Sequence, residues 1–158
     1  MKTLIRSLML SLILAPAAAF AADTGGSPAV TQPNDPVLEQ YAAAKSQQDW
    51  VKAAEVLKSG VAKDPGNAGY HNLYAYSMRK GPNPNMDLVF KHYNEALKLD
   101  PKHRGAHEYI GEAFLKIGNL AKAKEHLARL DSLCFFGCEE FSDLKKAIAE
   151  YEAKQASR

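Results

Sequence analysis

Residues 106–127 read AHEYIGEAFLKIGNLAKAKEHL. Ile110, Gly111 and Phe114 place a bulky, a small and a bulky residue at helical spacing, the small one where two helices must approach closely. Asn119 is followed by apolar Leu120, the pattern of an N-cap side chain and a first helical turn, and Ala123, Leu127 and Leu130 continue one face. The stretch therefore reads as two helices joined by a short turn.

The same pattern recurs upstream. Asp64-Pro65 and Asp100-Pro101 stand 36 residues apart (64 to 100), and His71, Tyr74, Ala75 and Met78 fall without gaps opposite His107, Ile110, Gly111 and Phe114. Asp49-Trp50 and Asn85-Met86 match Asn119-Leu120, and behind them Ala53, Leu57 and Gly60, then Val89, Tyr93 and Ala96, repeat the third set's spacing. A fixed period of this length means stacked supersecondary units, here three helical hairpins over about 37–66, 67–102 and 103–133.

These residues, with EALKLDP at 95–101, resemble the tetratricopeptide repeat family from roughly Leu38 to Leu130. The resemblance implies an all-α fold, a short right-handed α-solenoid of three helix-turn-helix hairpins closed by a C-terminal capping helix. The turn Gly81-Pro82-Asn83-Pro84-Asn85 is about two residues longer than the family's usual one. By register, the family's partner-binding groove falls on Asn72, Tyr76 and Arg79 of the second hairpin and Glu108, Glu112 and Leu115 of the third, with Leu38, Ala42 and Lys45 from the first. Tyr76 and Arg79, a rigid ring and a guanidinium about one turn apart, suit a binding hot spot. Glu108 and Glu112 set two like charges one turn apart, a small cost that a basic group on a partner would relieve. The bland alternative has Tyr76 packing between hairpins, Arg79 paired with an acid and both glutamates solvated. The lysine and asparagine set with which some family members hold a chaperone's C-terminal carboxylate is not reproduced.

A stacked array needs a terminal cap. In EEFSDLKKAIAEYEAK, about 139–155, Phe141, Leu144, Ile148 and Tyr151 form one apolar stripe, with Glu139 and Glu140 in the first turn where the helix dipole favours them. The corner before it, Cys134-Phe135-Phe136-Gly137-Cys138, holds both cysteines of the chain. In an oxidising compartment the pair is expected to close a disulfide that fixes the cap, with Phe135 and Phe136 packed into the last repeat. The rival reading makes Cys134 and Cys138 a redox or Cu(I)-handling pair.

Residues 1–22 carry Lys2 and Arg6, an apolar run and Ala19-Phe20-Ala21, the layout of a secretory signal peptide. Its removal takes the chain from 20 Lys+Arg against 18 Asp+Glu to 18 against 18. A neutral protein lacks the basic face that nucleic acid requires, so no nucleic-acid partner is expected. Residues 23–36, with three prolines and two glycines, read as a flexible leader. The expectation is a soluble, exported, periplasmic protein without a stable membrane anchor.

No catalytic constellation stands out. There is no phosphate-cradling glycine loop and no nucleophile elbow, and no cofactor is expected. His103 and His107 sit four apart, a spacing metal sites use, but no third ligand completes them and no metal is assigned. His92 and His126 read as solvated. Glu108, Glu112 and Glu125 have Arg104, Lys116 and Lys122 three or four residues away, as solvated helix faces do. The sequence thus predicts a non-enzymatic adaptor for another exported protein, with weak self-association through its uncapped N-terminal face as a further possibility.

Overall fold

The computed structural model describes residues 35–157, so the expected signal peptide and nearly all of the leader lie outside the described residues. Seven helices follow one another: α1 (Pro36–Ser46), α2 (Trp50–Lys63), α3 (Ala68–Lys80), α4 (Met86–Leu99), α5 (Arg104–Lys116), α6 (Leu120–Leu133) and α7 (Glu139–Ala156). No strand occurs among the described residues. None of these helices is long and apolar enough to cross a membrane.

Each of the first six helices begins with a side-chain cap. Asp35, Asp49, Asn67, Asn85, His103 and Asn119 each accept a hydrogen bond from a backbone N–H in the first turn. Each such bond satisfies one of the donors a helix start leaves orphaned, worth about 1 kcal/mol. At α1, Asp35 and Pro36, placed in the leader by the sequence, instead form the cap and the first helical position. Helix α7 has no side-chain cap; Cys138 precedes it.

Packing is local. Tyr41, Ala53, Leu57 and Tyr74 centre one buried cluster, Ala75, Val89, Tyr93 and Ile110 a second, and Leu115, Ala123, Leu130, Leu144 and Ile148 a third that takes in the α7 stripe. Gly111 explains how close α7 comes: a Cβ there would lie 2.6 Å from Leu144 Cδ2. Helix α5 packs on α3 at one side and α7 at the other, whereas α2 and α4, or α4 and α6, make no comparable contact. The odd-numbered helices therefore lie on the inside of the curve, and α3, α5 and α7 line it.

The histidines depart from expectation. His92 and His126 are half-buried, and each Nδ1 lies 2.9 Å from an Nδ1 of the preceding helix, in the pairs His71–His92 and His107–His126. His71 Nε2 and His107 Nε2 each donate 3.1 Å to a carbonyl, of Pro65 and of Pro101. A carbonyl only accepts, so the proton of the neutral inner ring sits on Nε2, and the outer ring must donate from Nδ1. This network ties the helices of the second and third hairpins to the turns before them, and the reading of His92 and His126 as solvated is corrected. His103 Nδ1 caps α5, accepting from the Ala106 N–H at 3.1 Å. His103 Nδ1 and both nitrogens of His107 are thus engaged within the fold.

Cys134 and Cys138 are disulfide-bonded, with Cα atoms 5.5 Å apart. Gly137 takes φ +83°, the left-handed conformation that lets the chain reverse between α6 and α7. That reversal points the intervening aromatics outward: Phe135 is 92% exposed and Phe136 fully so. Their expected packing into the last repeat is not observed, because Leu144, Ile148 and Leu130 already fill that space.

Candidate functional site

Nine groove positions were expected from register: Ala42 and Lys45 of the first hairpin are exposed and Leu38 half-buried, and the structure divides the six of the second and third. Arg79 is buried at the junction of three helices. Its Nε donates to the Tyr93 hydroxyl at 3.3 Å and its Nη2 to Glu112 Oε2 at 2.5 Å. Burial opposes its charge, but the Tyr93 hydroxyl and Glu112 outweigh that and raise its pKa. Arg79 and Glu112 thus form a clasp between α3, α4 and α5 rather than free groove side chains. Leu115 is likewise core, packed in the third cluster. Arg79 is covered by α4 and α5, as in the alternative that paired it with an acid, and Leu115 packs in one cluster with side chains of α6 and α7.

Asn72, Tyr76 and Glu108 do come together on the inner surface. Tyr76 is half-buried, its ring 4.5 Å from that of Tyr109 and 5.6 Å from that of Trp50, centroid to centroid. Arg79 lies 5.5 Å from the Tyr76 centroid, adding a cation–π contact behind the ring. Burial raises the pKa of both Tyr76 and Tyr109, so both hydroxyls are neutral donors and acceptors at ordinary pH.

Beside this aromatic strip, α3, α5 and the first turn of α7 enclose a cavity of about 240 Å³. Asn72 and Leu73 come from α3, Gly105, Glu108 and Tyr109 from α5, and Glu139, Glu140 and Asp143 from α7. Arg104 reaches Glu140 at 3.6 Å. Glu108, Glu139 and Asp143 form no ion pair among the described residues, and Lys116, expected near Glu112, donates instead to the Arg79 carbonyl at 3.2 Å. Of the three acid–base pairs expected along helix surfaces, only Lys122–Glu125 forms, at 2.7 Å.

Glu108 is only 8% exposed, and its pKa is pushed up to about 8. Burial is the main cause; Glu112, Asp143 and Glu140 add repulsion, which Arg79 partly offsets. Asn72 is 3% exposed, and its Oδ1 has no hydrogen-bond partner among the described residues. Tyr109 and the α7 acids escaped the sequence reading. Asp143 lies on the capping helix, outside the repeats, so register could not place it. Three acids within five residues, Glu139, Glu140 and Asp143, with no basic residue before Lys145, were the only available signal.

Comparison with solved structures fixes the fold. The chain superposes on the TPR2B domain of yeast Sti1 in its pHsp70 complex with TM-score 0.66 at 16% identity, covering 75% of this chain and 95% of that one. This is the tetratricopeptide-repeat fold. The first TPR domain of Spaghetti (RPAP3), bound to the HSP90 peptide SRMEEVD, matches with TM-score 0.61 at 21% identity over 75% and 94% of the two chains. The Yersinia enterocolitica type III secretion chaperone SycD, in complex with a peptide of the translocator YopD, matches with TM-score 0.61 at 18% identity over 78% and 95%. No protein-family model matches the sequence, and a search of curated proteins returned no match.

Proposed function

We propose that this tetratricopeptide-repeat array is a non-enzymatic interaction module that holds a peptide or helix of another exported protein against the α3, α5 and α7 surface. The observation that carries the reading is the groove itself: an aromatic strip, Tyr76 and Tyr109, running into a cavity that contains a buried amide oxygen without a partner. A buried oxygen without a donor costs free energy that a donor from outside would offset. The peptide complexes of Sti1, Spaghetti and SycD, built on the same fold, support the same use of the surface. With three hairpins the interface is small, and affinity for one peptide is of micromolar order, about −8 kcal/mol.

Export and periplasmic residence belong to the same proposal, supported by the basic and apolar pattern of residues 1–22 and by a disulfide that suits an oxidising compartment. Fractionation with N-terminal sequencing tests this; a full-length cytosolic product contradicts it. The copper or redox alternative has one point in its favour: Cys134, Cys138 and Glu140 place their ligand atoms within 4.8 Å of one another. Sulfurs bonded to each other are not thiolates, however, and Glu140 is matched to Arg104. Thiol labelling and elemental analysis of protein from its native compartment separate the two, since stoichiometric copper with free thiols would favour the alternative.

The groove reading is tested by selecting binders from a random peptide display library and challenging them with Tyr109→Ala and, on the outer side of α4, Asn94→Ala. Loss with the first change alone supports the groove. Equal loss with both, or insensitivity to Tyr109, rejects it. Sedimentation of the same preparation checks for weak self-association through the first hairpin.

A further inference from the structure

We propose that the cavity between α3, α5 and the first turn of α7 receives one cationic side chain, arginine or lysine, of a peptide lying along the groove, with Glu108, Asp143 and Asn72 Oδ1 as its acceptors. The inference rests on the protein-binding reading above and supplies the chemistry of the occupant.

Two independent observations meet there. Asn72 Oδ1 is a buried acceptor with no donor, an arrangement that costs free energy until a donor arrives. Around it, Glu108, Glu139 and Asp143 lack ion-pair partners among the described residues; of the cations close by, Arg79 is bound to Glu112, and Arg104 lies 3.6 Å from Glu140 with its buried Nε making no hydrogen bond. Asn72 Oδ1 lacks a donor and the carboxylates a positive charge, and an ammonium or guanidinium supplies both at once. Tyr109 in the cavity wall offers an aromatic surface for the aliphatic stem or the guanidinium plane.

Other occupants fit less well. The cavity, at about 240 Å³, is smaller than the roughly 300–1,000 Å³ usual for small-molecule sites but has room for one long side chain. A metal ion needs converging ligands, and no three carboxylates of this cavity lie within 4.8 Å of one another. An acidic peptide such as the SRMEEVD bound by the Spaghetti domain would meet like charge.

The site also couples binding to protons. Free Glu108 keeps its proton up to a pKa of about 8, held by burial and by Glu112, Asp143 and Glu140, with Arg79 opposing from α3. Glu139 also faces the cavity from α7. An incoming cation favours the carboxylate, so binding releases a proton and tightens as pH rises toward 8.

The test is a titration of the ¹⁵N-labelled chain, followed by NMR, with acetylated and amidated pentapeptides carrying arginine, lysine, glutamine or glutamate at the centre of four alanines, and with calcium chloride alone. The arginine and lysine peptides are expected to shift the Asn72, Glu108, Tyr109 and Asp143 amides and to bind at least about tenfold tighter than the glutamine peptide. Their affinity should rise from pH 6 to 8. Glu108→Gln should weaken binding about tenfold and remove that pH dependence. Asp143→Asn, at an exposed position, should weaken binding with an unchanged melting temperature, which separates lost recognition from lost folding. Glutamine or glutamate peptides binding these residues as well as arginine does would overturn the cation inference while leaving the groove reading intact. Calcium shifting these resonances where no peptide does, or no shift with any probe at about 10 mM, would overturn the inference; the library selection then decides the groove reading on its own.

Discussion

Arg79 and Glu108 show how differently two charged residues on one surface behave. Arg79 is enclosed by Tyr93 and Glu112, so Arg79→Ala leaves a buried hydroxyl and a carboxylate without their donor. We expect a loss of about 2–3 kcal/mol in denaturant unfolding; a loss below about 0.5 kcal/mol, the range of surface changes, would contradict the clasp. Glu108 behaves in the opposite sense. Its folded-state pKa of about 8 exceeds the ordinary 4.5, so between these values the folded chain holds a proton that the unfolded chain releases. Its contribution to stability is therefore lost as pH rises through that window. Glu108→Gln should raise the melting temperature at pH 8 by several degrees and lose its advantage toward pH 4; no pH-dependent difference would mean that Glu108 is not buried as described. Neither behaviour was legible in the sequence. Arg79 finds its acid 33 residues away across the array, and Glu108 finds none, whereas helical spacing had offered each glutamate a local cation.

Among the elements, α7 is the most informative. Its apolar stripe was plain from spacing, and Leu144 and Ile148 are buried along it. Its fit over α5 depends on Gly111, where the added Cβ of Gly111→Ala would come 2.6 Å from Leu144 Cδ2. Overpacking of that kind costs about 1–3 kcal/mol, and hydrogen exchange should show α7 loosening before the hairpins; uniform exchange rates would contradict a separately docked cap. The Cys134–Cys138 loop is short, so replacing both cysteines by serine should cost about 2 kcal/mol on the chain-entropy view. Phe135→Ser with Phe136→Ser should change stability by less than about 0.5 kcal/mol because both rings already meet solvent. An aromatic pair in a corner reads as core by composition alone. Which way a tight turn points its side chains depends on backbone conformation at Gly137, and the letters do not carry that.

For the whole molecule, periodicity made the architecture readable. Three registers of bulky, small and capping residues repeat, and each repeat solves the same packing problem as its neighbour. The histidine network repeats as well, and it sets a limit on acid tolerance. Burial holds His126 down to a pKa of about 4 and lowers His92, His103 and His107 in the same direction. A base depressed in the folded state takes up its proton first in the unfolded chain, so stability is lost as pH falls from about 6.5 toward 4. Glu108 contributes in the opposite sense over part of that range, so thermal melts of the Glu108→Gln variant isolate the histidines and should show a steady decline; a flat profile would contradict neutral, hydrogen-bonded rings. Function was less legible than fold, because the inner surface joins residues of two repeats to acids from the cap, which follows no repeat.

The central claim is that a partner lies in this groove. Site-specific photocrosslinking in intact cells tests it most directly, with benzoylphenylalanine placed at Tyr76 or Asp143 on the inner surface and at Asn94 on the outer face of α4. The account predicts one discrete protein adduct from both inner positions, mapping to a basic segment of that partner, and none from position 94. Adducts of equal yield from position 94, or none from the inner positions while position 94 reacts, would contradict it.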